Sequence, residues 1–257
     1  MFYGGGYMLI TSLENEKIKS YMKLKNKKYR DLTNKFIVEG EHLVLEAYRA
    51  GLLEEIILEQ SSVFPIDLPN DKVIYVPWVI LNKISEVEKP SYVMGVCRKK
   101  EENDDLGNRI LMLDGVQDPG NLGTILRSSK AFNVDTVVLS LDTVDLYNPK
   151  VVRATQGMMF HMNVVRRDLE SVIKVLKNEE IPVYVTRVEF GEDVKYLKAK
   201  DKRKFALVMG NEGNGVSDSV KELADKYIYI EMNEMVESLN VGVATSILLY
   251  ELQDKGE

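Results

Sequence analysis

The chain has 257 residues, enough for two domains with a sizeable core, and its 45% hydrophobic and 29% charged residues are the balance of a globular rather than a disordered protein. One cysteine excludes an intrachain disulfide, and with only two histidines, His42 and His161, it also excludes the usual structural zinc patterns, so no metal is expected. A net charge of −6 argues against a uniformly basic nucleic-acid surface, and no apolar run approaches the ~20 residues of a membrane helix, which makes the cytoplasm the default expectation.

Residues 1–10 carry three consecutive glycines and read as a flexible lead-in. From Ser12, a candidate N-cap, Leu13, Ile18, Tyr21 and Met22 recur at helical spacing among lysines. Between Ser12 and Lys35 eight basic residues face three acidic ones, and Lys23, Lys25, Lys27, Lys28 and Arg30 form the densest part of this stripe. Charge alone fits either a solvated helix face or an RNA contact. The spacing then predicts a strand over 36–38, a helix over 42–50 closed by Gly51, strands over 55–58 and 72–76, a helix over 77–84 and a strand over 92–97 that buries Cys97. A polar, aperiodic stretch follows. The expected organisation is therefore a domain over 11–98, a linker over 99–108 and a second domain over 109–257.

In the second domain the runs 110–113, 136–140, 183–186, 205–209 and 227–230 are apolar on consecutive positions, the pattern of strands covered on both faces of a mostly parallel sheet. Ligands of such sheets bind beyond the carboxyl ends of the strands, which directs attention to the loops after Leu113, Met209 and Ile230. The first runs from Asp114 into a helix that Asn121 is placed to cap, with Arg127 on its second turn. The second, Gly210-Asn211-Glu212-Gly213-Asn214-Gly215, is neither a dinucleotide fingerprint nor a P-loop. The third passes through Ser238-Leu239-Asn240 into an apolar helix that either Ser238 or Asn240 is able to cap. Each loop alone is consistent with a structural turn.

Together, and in this order, they resemble the motifs of the SpoU/TrmH branch of the SPOUT RNA 2′-O-methyltransferases: Asn-x-Gly-x-x-x-Arg at 121–127, Gly-x-Glu-Gly-x-Gly at 210–215 and Ser-Leu-Asn-Val at 238–241. The run 10–19, with Lys28-Tyr29-Arg30 and Phe36-Ile37-Val38-Glu39-Gly40-Glu41, is similar to the L30e-like substrate-binding domain that precedes many of these catalytic domains. The resemblance implies an α/β trefoil-knot domain behind a smaller L30e-like α/β domain, a homodimer, and S-adenosylmethionine as cofactor. It implies Arg127, Asn121, Glu212, Ser238 and Asn240 as catalytic residues, and Gly210, Ile230, Met232, Leu239 and Asn240 as cofactor contacts. It also turns the basic stripe, Lys23, Lys25, Lys27, Lys28 and Arg30, into an expected RNA contact, with ribosomal RNA favoured over tRNA.

Two positions depart from the family pattern. Glu231 and Glu234 stand where proline and glycine are commoner, so this loop is more acidic than usual. The alternatives left open are a tRNA methyltransferase and a catalytically silent RNA-binding homologue. A nicotinamide-dependent oxidoreductase would need G-x-G-x-x-G after its first strand, which the loop after Leu113 lacks.

Overall fold

The expected lead-in ends in a strand. In the computed structural model, which describes residues 2–3, 7–188 and 191–253, β1 (Phe2–Tyr3) pairs antiparallel with β2 (Tyr7–Leu9). Met8 and Ile10 pack on the core of the first unit, which is what draws the segment out of solvent. The lysine-rich stretch forms two helices rather than one, α1 (Glu16–Lys23) and α2 (Lys27–Thr33). Their caps are Asn15 and Asn26, whose side chains accept from Lys17 N and Lys28 N, while Ser12 Oγ takes only Glu14 N. The break at Leu24-Lys25 leaves two carbonyls without helical donors, and Arg30 Nη1 supplies both bonds, at 2.9 and 2.7 Å.

The first unit continues through β3 (Lys35–Glu39), α3 (Glu41–Arg49), β4 (Leu53–Glu59), β5 (Val73–Val76), α4 (Trp78–Ile84) and β6 (Val93–Arg98), and its sheet has the order β1-β2-β5-β4-β6-β3. Gly51, at φ +69°, takes the left-handed position after α3 that the sequence reading assigned to it. Cys97 is fully buried, and burial pushes its thiol well above the ordinary range.

The second unit opens with β7 (Arg109–Leu113), α5 (Pro119–Ala131) and β8 (Thr136–Leu139). The following segment, Asp145–Phe160, belongs to the first unit although it lies within the stretch expected to form the second domain. It carries α6 (Pro149–Ala154) and is held by aromatic contacts of Phe36 with Tyr147 and Phe160, at 4.8 and 5.9 Å between ring centroids. The second unit resumes with β9 (Asn163–Arg166), α7 (Leu169–Asn178), β10 (Val183–Thr186), β11 (Glu192–Asp193), α8 (Ala199–Arg203), β12 (Phe205–Met209), α9 (Asp218–Lys221), β13 (Lys226–Tyr229) and α10 (Val241–Glu251). Its sheet, β11-β13-β10-β12-β7-β8-β9, is parallel at every pairing. The consecutive apolar residues of β7, β8 and β12 are buried on both faces, as that pattern predicts. This order sets β10 between β12 and β13, so three chain segments leave the sheet side by side at their carboxyl ends. Helix α10 lies on α5, where Ser128 Oγ and Ser246 Oγ are 2.7 Å apart.

Candidate active site

The loop after β7 is fixed before its helix begins. Asp114 N donates to Met209 O at 2.9 Å, and its carboxylate accepts from Ser217 N at 2.7 Å, which ties the first two loops together at their bases. Helix α5 starts three residues earlier than a cap at Asn121 implies. Pro119 occupies its first position and Asp118, not Asn121, is the cap, accepting from Asn121 N at 2.8 Å. Arg127 consequently stands on the third turn, exposed, with no hydrogen bond or ion pair among the described residues.

Freed from capping, the Asn121 amide joins the three loops. Its Nδ2 donates to Glu212 Oε1 at 3.0 Å, and its Oδ1 accepts from Asn240 Nδ2 at 2.8 Å. Asn240 Oδ1 in turn caps α10, accepting from Gly242 N and Val243 N at 2.9 and 3.3 Å. The ends of this chain dictate both amide orientations: a carboxylate only accepts and a helix N-terminus only donates, so neither amide is free to flip. Glu212 also accepts from Gln117 N and Asp118 N, at 3.2 and 3.1 Å. Partial burial opposes its ionisation, but the Asn121 amide and the backbone N–H groups of Glu212, Asp118 and Gln117 outweigh this and hold the carboxyl below its ordinary value of 4.5.

Because the folded-state value is depressed, the contribution of Glu212 to stability is complete above the unfolded carboxyl value and is lost as pH falls through the lower folded one. Glu212→Gln is therefore expected to melt below the native protein at pH 7, since an amide placed there offers N–H groups to donors. Its melting temperature should fall less steeply than the native one on acidification below about pH 4. Thermal denaturation of both proteins between pH 3 and 8 checks this, and parallel curves would exclude the assigned role.

Asn240, rather than Ser238, is thus the cap of α10; Ser238 is exposed and makes no hydrogen bond among the described residues. Beside the network a groove of about 830 Å³ opens at the carboxyl ends of β10, β12 and β13. Gly210, Ile230, Met232, Leu239 and Asn240 all line it, with Glu212 and Ser238. Gly210 is a steric requirement: a Cβ there would lie 2.1 Å from Gly215 C and 2.2 Å from Val216 N, because the loop folds back into an Asn211–Gly215 bridge. Neither Glu231 nor Glu234 is among the lining residues; Glu231 pairs with Lys195, which Asp193 also holds at 2.9 Å. Sequence reasoning missed Thr186, Arg187 and Val188, which line the groove after β10. The stretch that follows β10, 187–191, holds one glycine and no asparagine, so it stands out less than the other three loops, although the rule about carboxyl ends of parallel strands applies to it equally.

In the first unit Lys23, Lys25, Lys27 and Lys28 are exposed, as an RNA contact requires. Lys27 pairs with Asp31 at 2.7 Å and Lys25 Nζ donates to Ser85 O at 2.8 Å. Arg30 departs from expectation. It is 4% exposed, and its guanidinium is committed to the Leu24 and Lys25 carbonyls and to Asp145 Oδ2 at 2.6 Å. It is a buried clamp within the first unit, not a surface cation.

A parallel sheet with a groove at the carboxyl ends of adjacent strands defines an α/β ligand-binding domain. Residues 108–250 match the model of the SpoU rRNA Methylase family, and residues 15–95 match that of the MRM3-like substrate binding domain. The chain belongs to the SpoU rRNA methylase family. It is 40% identical over 246 residues, 95% of this chain and 98% of the relative, to the 23S rRNA (guanosine(2553)-2′-O)-methyltransferase RlmP of Bacillus subtilis (strain 168). Among solved structures it is similar to an AdoMet-bound rRNA methyltransferase from Sinorhizobium meliloti, with 27% identity, a TM-score of 0.84 and coverage of 96% of this chain and 97% of that one. An RNA 2′-O ribose methyltransferase gives 28% identity and a TM-score of 0.79, covering 95% and 98% of the respective chains.

Proposed function

We propose that this protein transfers a methyl group from S-adenosylmethionine to a ribose 2′-hydroxyl of 23S ribosomal RNA. The observation that carries the reading is the hydrogen-bonded chain Glu212–Asn121–Asn240, which draws three separate loops around one groove. The groove suits the cofactor. Its volume falls in the range of small-molecule sites, and Gly210, Gly213 and Gly215 along its wall carry no side chain to cover the backbone. When bound, S-adenosylmethionine supplies the methyl group from its sulfonium. Gly210, Ile230, Met232, Leu239 and Asn240 hold it, largely through backbone groups.

The remaining tasks are to position the 2′-oxygen and to stabilise the negative charge that develops there. Arg127, charged and exposed on α5, suits both: it takes a phosphate of the substrate and offers N–H donors to the forming alkoxide. A guanidinium with a pKa above ~12 is a poor base at neutral pH, so Arg127 acts as a cation and not as the proton acceptor. Asn121, Glu212 and Asn240 set the start of α5 and thereby the direction of Arg127, with Ser238 at the rim.

Ribosomal RNA, rather than tRNA, is supported by 40% identity along nearly the whole of a 23S rRNA enzyme, and a cytoplasmic location follows from that substrate. Lys23, Lys25, Lys27 and Lys28 are its proposed contacts in the first unit. Assembly as a homodimer is supported by α10, which leaves Val243, Ile247 and Tyr250 exposed at spacings of four and three residues, an apolar stripe of the kind that subunit interfaces cover. The family's trefoil knot in the C-terminal domain belongs to the same proposal. Titration calorimetry is expected to show S-adenosylmethionine or S-adenosylhomocysteine binding at micromolar concentration, and light scattering twice the chain mass. Absence of binding at high micromolar concentration would favour the silent RNA-binding homologue instead.

A further inference from the structure

Among the described residues, four charged side chains line the groove: Arg187, Glu212, Lys221 and Glu237. Two of them are committed elsewhere. Glu212 is engaged by Asn121 and by two backbone N–H groups, and Lys221 pairs with Asp218 at 2.9 Å. Arg187 has no carboxylate partner among the described residues, yet its position is fixed. Its backbone N donates to Ile228 O at 3.0 Å, and its guanidinium lies over the Tyr227 ring, 4.1 Å from the centroid. That ring is itself anchored, because Tyr227 Oη donates to Lys221 O at 2.7 Å. A guanidinium is planar, and one held over a ring keeps N–H donors free at its edge, able to grip a carboxylate with two parallel hydrogen bonds.

The fold puts this cation at the centre of the site. Arg187 immediately follows β10, the strand between the two that lead into the Gly210 and Leu239 loops. The cofactor of the proposed reaction carries one carboxylate, at the end of the molecule remote from its adenine, and among the described residues of the groove Arg187 is the cation held in place without a carboxylate partner. We infer that Arg187, held on Tyr227, binds the α-carboxylate of S-adenosylmethionine and so selects a donor that retains its amino-acid end. This rests on the proposed function but adds a residue and a chemical discrimination to it.

The test compares ligands with and without the carboxylate, and one, 5′-methylthioadenosine, that lacks both the amino-acid chain and the sulfonium charge. Calorimetry on the full-length native protein and on Arg187→Met would use S-adenosylmethionine, decarboxylated S-adenosylmethionine and 5′-methylthioadenosine. The native protein is expected to bind the carboxylate-bearing donor about tenfold more tightly than the decarboxylated one, the lower end for a hydrogen-bonded charge. In Arg187→Met the two should bind alike, with 5′-methylthioadenosine unaffected. Arg187→Lys, which keeps the charge but not the planar fork, should retain part of the preference. Discrimination unchanged in Arg187→Met would overturn the inference, as would a variant that loses affinity for 23S ribosomal RNA alone and thereby marks Arg187 as a phosphate contact. If the native protein binds none of the three ligands, the proposed function falls with it; if it binds S-adenosylmethionine but ignores the carboxylate, only the role of Arg187 falls.

Discussion

Arg127→Ala is expected to lower the rate of methyl transfer by about 10²–10³-fold, the usual loss when one donor to developing negative charge is removed. S-adenosylmethionine affinity should stay within a few-fold. The separation follows from placement. Arg127 lies on the third turn of α5 and is not among the residues lining the groove, and its side chain holds no partner among the described residues whose loss would disturb the loops. For the same reason the variant should melt with the native protein. Arg127→Lys keeps the charge but loses the two-pronged geometry, and it should recover only part of the rate. Single-turnover kinetics with saturating cofactor, alongside calorimetry, separates the two quantities. A variant that binds the cofactor poorly would move Arg127 to the donor side of the reaction, and one with full activity would remove it from the chemistry.

Gly210→Ala should have the opposite signature. The added Cβ meets main chain rather than a flexible side chain, at 2.1 Å from Gly215 C and 2.5 Å from Gly215 O. The Asn211–Gly215 bridge, with its hydrogen bonds of 2.9 and 3.0 Å, must open to admit it. Overpacking of this kind costs about 1–3 kcal/mol of stability. Because the loop also lines the groove, cofactor affinity should fall by at least about tenfold. Gly213→Ala is the control for stability: its Cβ would stand 3.6 Å from Asn211 Oδ1, an ordinary contact, and the melting temperature should survive. Melting curves and calorimetry on the pair decide. Native-like stability and affinity in Gly210→Ala would mean that the loop is not held as described.

What the sequence made legible was chemistry concentrated in short stretches. Gly210 to Gly215 and Ser238 to Asn240 announce themselves because backbone close to a ligand, or at a helix start, needs glycine or a small amide. Strands β7, β8 and β12 were readable because burial on both faces leaves no polar positions. What stayed hidden depended on distant partners. Arg30 reads from sequence as one more surface cation, since its counter-ion, Asp145, lies 115 residues away and its two carbonyl acceptors exist only because α1 ends at Lys23. The return of Asp145–Phe160 to the first unit rests on aromatic contacts with Phe36 that no periodicity reveals. Asn121 was read as a cap because Asp118, three residues earlier, competes for the same helix start, and only the structure shows the freed amide reaching Glu212 and Asn240. Arg187 is inconspicuous because the stretch it opens, 187–191, holds one glycine and no asparagine.

The central claim is that a ribose 2′-oxygen of 23S ribosomal RNA receives the methyl group. Mapping 2′-O-methylated nucleotides in 23S ribosomal RNA from a deletion strain and its parent, then treating the deletion RNA with purified protein and S-adenosylmethionine, tests it most directly. One 2′-O-methyl mark is expected to be missing in the deletion strain and restored in vitro by the native protein but not by Arg127→Ala. Identical maps in the two strains, or a methyl group restored to a base instead of a ribose, would contradict it.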